Sequence, residues 1–252
     1  MNSTQRRKGD LNTGTAKGVL YGIGVGIGDP GMMTIRALRL IGEADVLVLP
    51  RFNKNECRAY NIALQADPSI EEKETLAFDF EMISDANARA ENHKRIYDAV
   101  KGEIEKGRKV AFLTIGDPAL FSTFSYIADL AEEDGIAIET AAGISSMSAC
   151  AEALGISLCE GKEQLHIIPD VNNLSEDLKL PGTKVIMKSG RNMGQIKDVL
   201  REHKRRCSDA GVAMEVYAVS DCGMESERTY RGIDELPDEG TYMMTIIVKE
   251  RG

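Results

Sequence analysis

The sequence predicts an α/β protein in two parts. The N-terminal part is a five-stranded, parallel, doubly wound sheet. The C-terminal part is a mixed or antiparallel sheet with helices. Three observations carry this expectation. Short apolar runs alternate with amphipathic helical stretches from Val19 to Thr140, which is the signature of strand–helix crossovers and hence of a parallel sheet. Two of the runs, V-L-V-L (46–49) and V-A-F-L-T-I (110–115), are almost wholly apolar, as strands covered on both faces are. After A-A-G-I-S-S (141–146) the strands crowd together with a single strong amphipathic helix among them, and the regular alternation is lost.

The first part is read over residues 18–141. Its strands are expected at 19–25, 46–49, 75–78, 110–115 and 136–140. Between them, Ile35, Leu38 and Ile41 make one helical stripe after Thr34, and Ile96, Tyr97, Val100 and Ile104 make another. The second stripe ends at Lys106-Gly107, a basic last residue followed by a capping glycine. Leu120, Phe124, Ile127 and Ala128 form a third. At this spacing such stripes are core packing faces. The second part, residues 142–252, begins with a helix over 145–154 and continues with strands at 164–169, 184–187, 214–219 and 242–248. Met193, Ile196, Val199 and Leu200 mark its strong helix.

Composition narrows the class. With 42% hydrophobic and 28% charged residues in 252, the chain is of ordinary soluble globular type and long enough for a sizeable core. The formal net charge of -9 argues against nucleic acid as a partner, since that needs a basic footprint. An anionic small ligand remains compatible, because local cations can oppose the global sign. The five cysteines form no C-x-x-C pair, which points to free thiols in a reducing cytoplasm. The three histidines, 93, 166 and 203, stand apart in sequence, so no metal site is expected. No apolar run approaches the ~18 residues of a membrane span. Residues 1–17 are polar and weakly basic, and read as a disordered tail.

The stretch G-I-G-V-G-I-G-D-P-G (22–31) contains G-x-G-x-x-G at Gly26, Gly28 and Gly31. That fingerprint binds dinucleotides when an acidic residue ends the following strand. Here the second strand ends V-L-V-L-P-R, and Asp45 begins it instead. Arg51 could face a 2'-phosphate, which keeps an NADP-dependent oxidoreductase open. Pro30 removes one amide donor from the loop. A second turn, T-I-G-D-P (114–118), repeats the pattern of apolar strand, Gly-Asp-Pro and helix. Asp29 and Asp117 are each explained by helix N-capping with Pro at the first helical position. Two such turns at the carboxyl edge of one parallel sheet also mark a binding cleft.

Three blocks together resemble the tetrapyrrole (corrin/porphyrin) methylase family. They are G-V-G-I-G-D-P-G-M-M-T-I-R-A-L (24–38), V-A-F-L-T-I-G-D-P-A-L-F-S-T (110–123) and A-A-G-I-S-S-M-S-A-C-A-E-A-L-G-I-S-L (141–158). They fall in the family's order and spacing, and the resemblance covers nearly the whole chain from Gly18. Ile27 and Ala142 stand where the family often has proline. The version G-D-P-A-L-F-S-T-F-S-Y, followed by E-G-K-E-Q-L-H-I-I-P, is most similar to the precorrin-2 (or cobalt-factor II) C20-methyltransferases of vitamin B12 synthesis.

The resemblance implies a ligand cleft between the two parts, holding S-adenosylmethionine (SAM) and not a dinucleotide. Carried over by position, it implies cofactor contacts from Ile115, Gly116, Asp117 and Leu120, and from Ser145 and Ser146. Met187 or Lys188, Gly223 and Thr245 are the matching positions in the second part. Ile27 would border cofactor and substrate, with the glycines beside it letting a flat macrocycle approach the backbone. Asp29 is a candidate base, with a capping role as its alternative. Arg51, Lys188 and Arg191 are candidates for the substrate carboxylates, with solvated surface as theirs. Cys150, Cys159 and Met147 read as packing residues. A homodimer is implied by the resemblance alone. Methylation elsewhere on a corrin ring or on uroporphyrinogen III, and non-catalytic binding of a tetrapyrrole, remain alternatives.

Overall fold

A computed structural model describes residues 18–80 and 85–251; the expected tail at 1–17 lies outside them. The first sheet has five parallel strands: β1 (Val19–Gly24), β2 (Val46–Leu49), β3 (Glu74–Ala77), β4 (Lys109–Thr114) and β5 (Ala137–Ala141), in the order β3-β2-β4-β1-β5. This is the expected parallel sheet, with each strand within two residues of its predicted bounds. Every residue of β2 is buried, as its unbroken apolar run requires. Asp45 sits just before β2, where its carboxylate accepts the Lys109 backbone N–H at 2.8 Å. That places it at the amino edge of the sheet, away from the cleft.

Helices cover both faces. On one lie α1 (Ile35–Glu43) and α2 (Arg58–Ala66), which share a core with Tyr21, Ile23, Leu47, Leu49 and Leu113. On the other lie α3 (Ala86–Glu105) and α4 (Phe124–Glu133), packed on Leu20, Val46, Val48, Val110 and Phe112. The alternation of Val46, Leu47, Val48 and Leu49 between the two cores is the period-2 geometry of a strand. Thr34 caps α1, its Oγ1 accepting Ala37 N–H at 3.1 Å and donating to Ala142 O at 3.2 Å. One expectation is corrected: α4 begins at Phe124, so Leu120 is not on its stripe. Leu120 lies in the turn after β4, where its N–H donates to Asp117 O at 3.2 Å. Helix α2 is not foreshadowed by any apolar stripe in the sequence.

Helix α5 (Ser146–Leu154) follows, with Ser145 as its first flanking residue and Gly155 closing it at φ +63, a left-handed cap that favours glycine. The second sheet contains β6 (Leu165–Ile168), β7 (Thr183–Met187), β8 (Ala213–Ser220), β9 (Arg228–Arg231) and β10 (Thr245–Arg251), in the order β6-β7-β10-β8-β9. Only β6 and β7 are parallel; the remaining pairs are antiparallel. The sheet is therefore mixed, as expected. Its core includes the short α6 (Leu174–Asp177) and the long α7 (Met193–Asp209). Its other face packs on α5 through Cys150, Leu154, Val185, Val219 and Ile247, and Ile27 of the first part joins that cluster.

Candidate functional site

Three loops meet at the carboxyl edge of the first sheet. They follow β1, β4 and β5, and glycine lets their backbones touch. A Cβ on Gly24 would lie 2.5 Å from Gly116 O and 2.6 Å from Gly143 N. One on Gly143 would lie 2.0 Å from Gly116 O. Gly26 (φ +75) accepts the Gly116 N–H at 2.7 Å. Asp117 completes the junction, its Oδ1 accepting Ala119 N–H at 2.8 Å and its Oδ2 accepting Gly143 N–H at 3.1 Å. The carboxylate thus holds the β4 turn closed and pins the β5 loop to it, which charge-assisted bonds do well.

Three glycines of 22–31 are taken up by protein contacts, not by the approach of a macrocycle. Gly22 faces the Phe124 ring, Gly24 the Gly116–Gly143 junction, and Gly28 the backbone of Cys222 and Gly223. Nor does the loop cradle a phosphate. Asp29 takes the Gly31 N–H at 2.7 Å, and the Met32 and Met33 N–H groups bond to Asp29 O and Pro30 O. These amides have internal partners, so the pyrophosphate geometry is missing.

Beyond this junction lies a compact cavity of about 190 Å³. The first part supplies Ile27, Ile115, Gly116, Asp117, Leu120 and Phe121 to its wall; α5 supplies Ser145 and Ser146. The second part supplies Met187, Lys188 and the segment Tyr242–Thr245. The hydroxyl of Ser146 is buried there with no hydrogen-bond partner. Two wall residues adopt positive φ without being glycine, Phe121 (φ +50) and Lys188 (φ +55). The Lys188 ammonium stands 6.0 Å over the Phe121 ring, across the seam between the two parts. Backbone strain of this kind concentrates at ligand sites.

A trough of about 880 Å³ adjoins the compact cavity, sharing Asp117, Leu120 and Ser145 with it. Asp29, Met32, Ile144, Met147 and Glu152 also line the trough. A side cavity of about 860 Å³ continues past Asp29, Met32 and Glu152 to Arg58, Gly223 and Glu227. The arrangement is a small, partly polar pocket opening onto a wide groove, able to hold a small ligand beside a large flat one.

The family follows from comparison with known proteins. The family described as "Tetrapyrrole (Corrin/Porphyrin) Methylases" matches residues 19–236. A Methanocaldococcus jannaschii protein named "Probable cobalt-precorrin-2 C(20)-methyltransferase" is 35% identical over 72% of this chain and 76% of its own. The chain belongs to the tetrapyrrole methylases. A "Cobalt-precorrin-2 C(20)-methyltransferase" of Salmonella typhimurium is 26% identical over 93% of this chain and 97% of its own. The solved structure of a uroporphyrin-III C-methyl transferase from Thermus thermophilus complexed with S-adenyl homocysteine superimposes with a TM-score of 0.65 at 17% identity, over 92% of this chain and 97% of that one. At that identity the likeness is one of fold.

For a tetrapyrrole methylase, the sequence candidates divide cleanly in space. Ile27, Ile115, Gly116, Asp117, Leu120, Ser145, Ser146, Met187, Lys188 and Thr245 converge on the compact cavity. Gly223 does not. It packs against Gly28, a Cβ there would lie 2.7 Å from Asp29 N, and its own N–H donates to Glu227 Oε2 at 2.6 Å. Asp29 reaches the trough, with one oxygen committed to its capping bond. Arg51 is exposed after β2 and lines neither the compact cavity nor the trough. Arg191 falls in the short turn Ser189–Arg191, and its side chain lies outside the described residues.

Sequence reasoning missed Phe121 and the Tyr242–Met244 turn, because the former follows a recognised motif and the latter reads as strand. It also missed Arg58, the cation that does line the side cavity, which pairs with Asp221 at 3.6 Å. Cys150 is buried as expected, and so is Cys222; a hydrogen bond donated to Cys150 and then burial push the Cys222 thiol far up. Among the described residues, His203, Cys207 and Glu250 bring potential metal-ligand atoms within 4.8 Å of one another. The fully buried Lys184 ammonium lies 2.5 Å from Glu250 Oε1, where it already supplies the cation. His203 Nε2 stands 2.7 Å from the same Glu250 oxygen, and none of these residues lines the compact cavity or the trough.

Proposed function

We propose that the chain methylates C20 of precorrin-2 or of its cobalt complex, using SAM held in the compact cavity. The observation that carries this reading is the cavity wall. Residues scattered from Ile27 to Thr245, which the family resemblance implies for SAM, line one pocket that opens onto a groove wide enough for a macrocycle. The orphaned Ser146 hydroxyl fits a ligand with polar groups, since a buried hydroxyl without a partner costs free energy until one arrives. The C20 assignment rests on the names of the two curated relatives. The cofactor assignment rests also on the fold relative, which is complexed with S-adenyl homocysteine.

SAM supplies a methyl group on a sulfonium, which is a good leaving group. The protein's part is chiefly positioning, which alone contributes a large share of such a rate. The Gly24–Gly116–Gly143 junction and the Asp117 carboxylate keep the pocket floor fixed. Ile27, Met187 and Leu120 exclude water from one side. Lys188 and Arg58 are the cations on cavity walls, suited to substrate carboxylates. Asp29 retains one oxygen for a proton at the trough wall. Incubation with SAM and each form of the tetrapyrrole tests the reading. A product methylated at C20, located by NMR, is expected with S-adenosylhomocysteine. A methyl at another ring carbon, or turnover only of uroporphyrinogen III, transfers the assignment to that reaction. Absence of S-adenosylhomocysteine with every acceptor overturns methyl transfer.

We further propose a cytoplasmic homodimer. Five free cysteines suit a reducing compartment, and among the described residues no helix is long and apolar enough to cross a membrane. Ile35 and Phe52 are exposed apolar side chains available to a subunit contact.

A further inference from the structure

We propose that Arg58 receives one peripheral carboxylate of the tetrapyrrole in the side cavity, and that Asp221 is the positioning residue that holds its guanidinium there. The inference rests on the tetrapyrrole reading above and adds to it the group that fixes which way round the substrate lies. Arg58 is the one cation among the described residues that line the trough or the side cavity. Its Nη1 stands 3.6 Å from Asp221 Oδ1, which is an ion pair but too long for a hydrogen bond. The guanidinium makes no hydrogen bond among the described residues, so its fork of N–H donors is free for a ligand.

Two elements place the group. Arg58, Asn61, Ile62 and Gln65 recur at the spacing of one face of α2, and all four line the side cavity. The Asn61 and Gln65 amides already donate to Asn55 O at 2.9 Å and to Asn61 O at 3.2 Å, which leaves Arg58 as the strong donor of that face. Asp221, in the turn after β8, is buried and holds φ +48. Its Oδ1 has no hydrogen-bond partner, and Arg58 is its one ion-pair partner among the described residues. A buried carboxylate is costly without a cation beside it, so it draws the guanidinium to one place. A strained backbone and an orphaned buried oxygen at the same residue are features retained at ligand sites.

The rest of that wall is acidic or neutral. Asp29, Glu152, Glu225 and Glu227 line the side cavity with Arg58. Asp29 and Glu227 are spent on the Gly31 and Gly223 N–H groups. These carboxylates repel the perimeter of an anionic ring everywhere but at the guanidinium, which binds a carboxylate through paired, charge-assisted hydrogen bonds. Attraction at one point with repulsion around it selects one orientation of a ligand over the others. Ile27 lines both the side cavity and the compact cavity, so the anchoring space adjoins the one assigned to the methyl donor.

Arg58→Gln removes the charge. Asp221→Asn removes its partner and keeps a residue that tolerates the left-handed backbone. The double variant removes both. Binding of precorrin-2 is followed by absorbance titration without oxygen, S-adenosylhomocysteine binding by calorimetry, and stability by thermal unfolding. Arg58→Gln should bind the tetrapyrrole about tenfold more weakly, and Arg58→Lys should regain part of the loss. Arg58→Gln should also unfold at a lower temperature, because it leaves Asp221 buried without its cation. The double variant separates the two effects: it should recover stability while its tetrapyrrole affinity stays low. S-adenosylhomocysteine affinity should match wild type throughout. Tetrapyrrole affinity that returns with stability makes the pair a structural tie and overturns the inference. Asp221→Asn alone should weaken tetrapyrrole binding, and tighter binding overturns its positioning role. If the wild-type protein binds no tetrapyrrole, the substrate reading itself fails. If it binds and the double variant binds as well, only the role of Arg58 falls.

Discussion

The hydroxyl of Ser146 is buried in the wall of the compact cavity, and no group among the described residues bonds to it. Leaving such a group unpaired costs about 1–3 kcal/mol, a cost that persists where a ligand recovers it. Ser146→Ala should therefore act in opposite directions on stability and binding. The ligand-free protein should be as stable as wild type or slightly more so in urea unfolding. Affinity for S-adenosylhomocysteine should fall about tenfold, in line with one lost hydrogen bond. A variant that loses stability without losing affinity would show that Ser146 is a packing residue. Gly116 and Asp117 of this wall were legible because turn chemistry gave them away, since they sit where a strand must turn into a helix, whereas Ser145 came from the resemblance. Arg51 was misplaced for the converse reason. Spacing says that a residue follows a strand, but not which of several loops it will face. The contact of Gly223 with Gly28 is made across 195 residues of chain, and nothing local records it.

At the scale of elements, the strands of the first sheet were legible from their apolar runs, whereas α2 and β9 were not. The stripe of α2 is Ala59, Tyr60, Ile62 and Ala63, half of it alanine, and Cys57 before it offers no side-chain cap. Strand β9, R-T-Y-R, is an edge strand with polar, mostly exposed residues, and so lacks the alternation that marks a half-buried strand. One connection also ties an element to the acid stability of the second sheet. Glu163 lies in the segment between α5 and β6, and accepts the Thr183 hydroxyl at 2.7 Å. Lys249 of β10, almost wholly buried, donates to Ser157 O and Leu158 O and stands 3.6 Å from Glu163. Burial raises the Glu163 pKa, but the Thr183 hydroxyl, the Glu160 N–H and the Lys249 charge together outweigh it, and the net shift is downward. A carboxyl held lower in the folded chain than in the unfolded one stabilises fully above its unfolded pKa. That contribution is lost as pH falls through the folded value. Wild type should thus lose stability below the ordinary carboxylate range, and Glu163→Gln should lose less over the same interval, starting from a lower value at neutral pH. Urea midpoints from pH 7 to pH 3 measure this, and parallel losses in the two proteins would remove Glu163 from the account.

For the whole molecule, the two parts meet over a seam that a ligand would straddle. Ile27 of the first part packs in the α5 cluster with Val219 and Ile247 of the second. Arg58 pairs with Asp221 across the same boundary, and Asp221 holds a positive φ of +48. The division into a parallel and a mixed sheet was legible because strand spacing changes after residue 141. The seam itself was not, since its contacts join residues far apart in sequence. The compact cavity draws Ile115 and Gly116 from one side and Met187, Lys188 and Thr245 from the other. A ligand bound there contacts both parts, so its binding free energy should appear in global unfolding rather than in one part alone. At a concentration of about 100 times its dissociation constant, such a ligand adds about 2.7 kcal/mol. For a chain of this size each kcal/mol raises the melting temperature by about 2–4 °C, giving a rise of about 5–10 °C. S-adenosylhomocysteine should produce that shift as a single cooperative transition in calorimetry. NADPH should produce none, because the Gly31, Met32 and Met33 amides, where the loop enters its short helical turn, are already spent on Asp29 and Pro30. A comparable shift with NADPH, or a shift confined to one of two transitions with S-adenosylhomocysteine, would mean that the ligand does not bridge the seam.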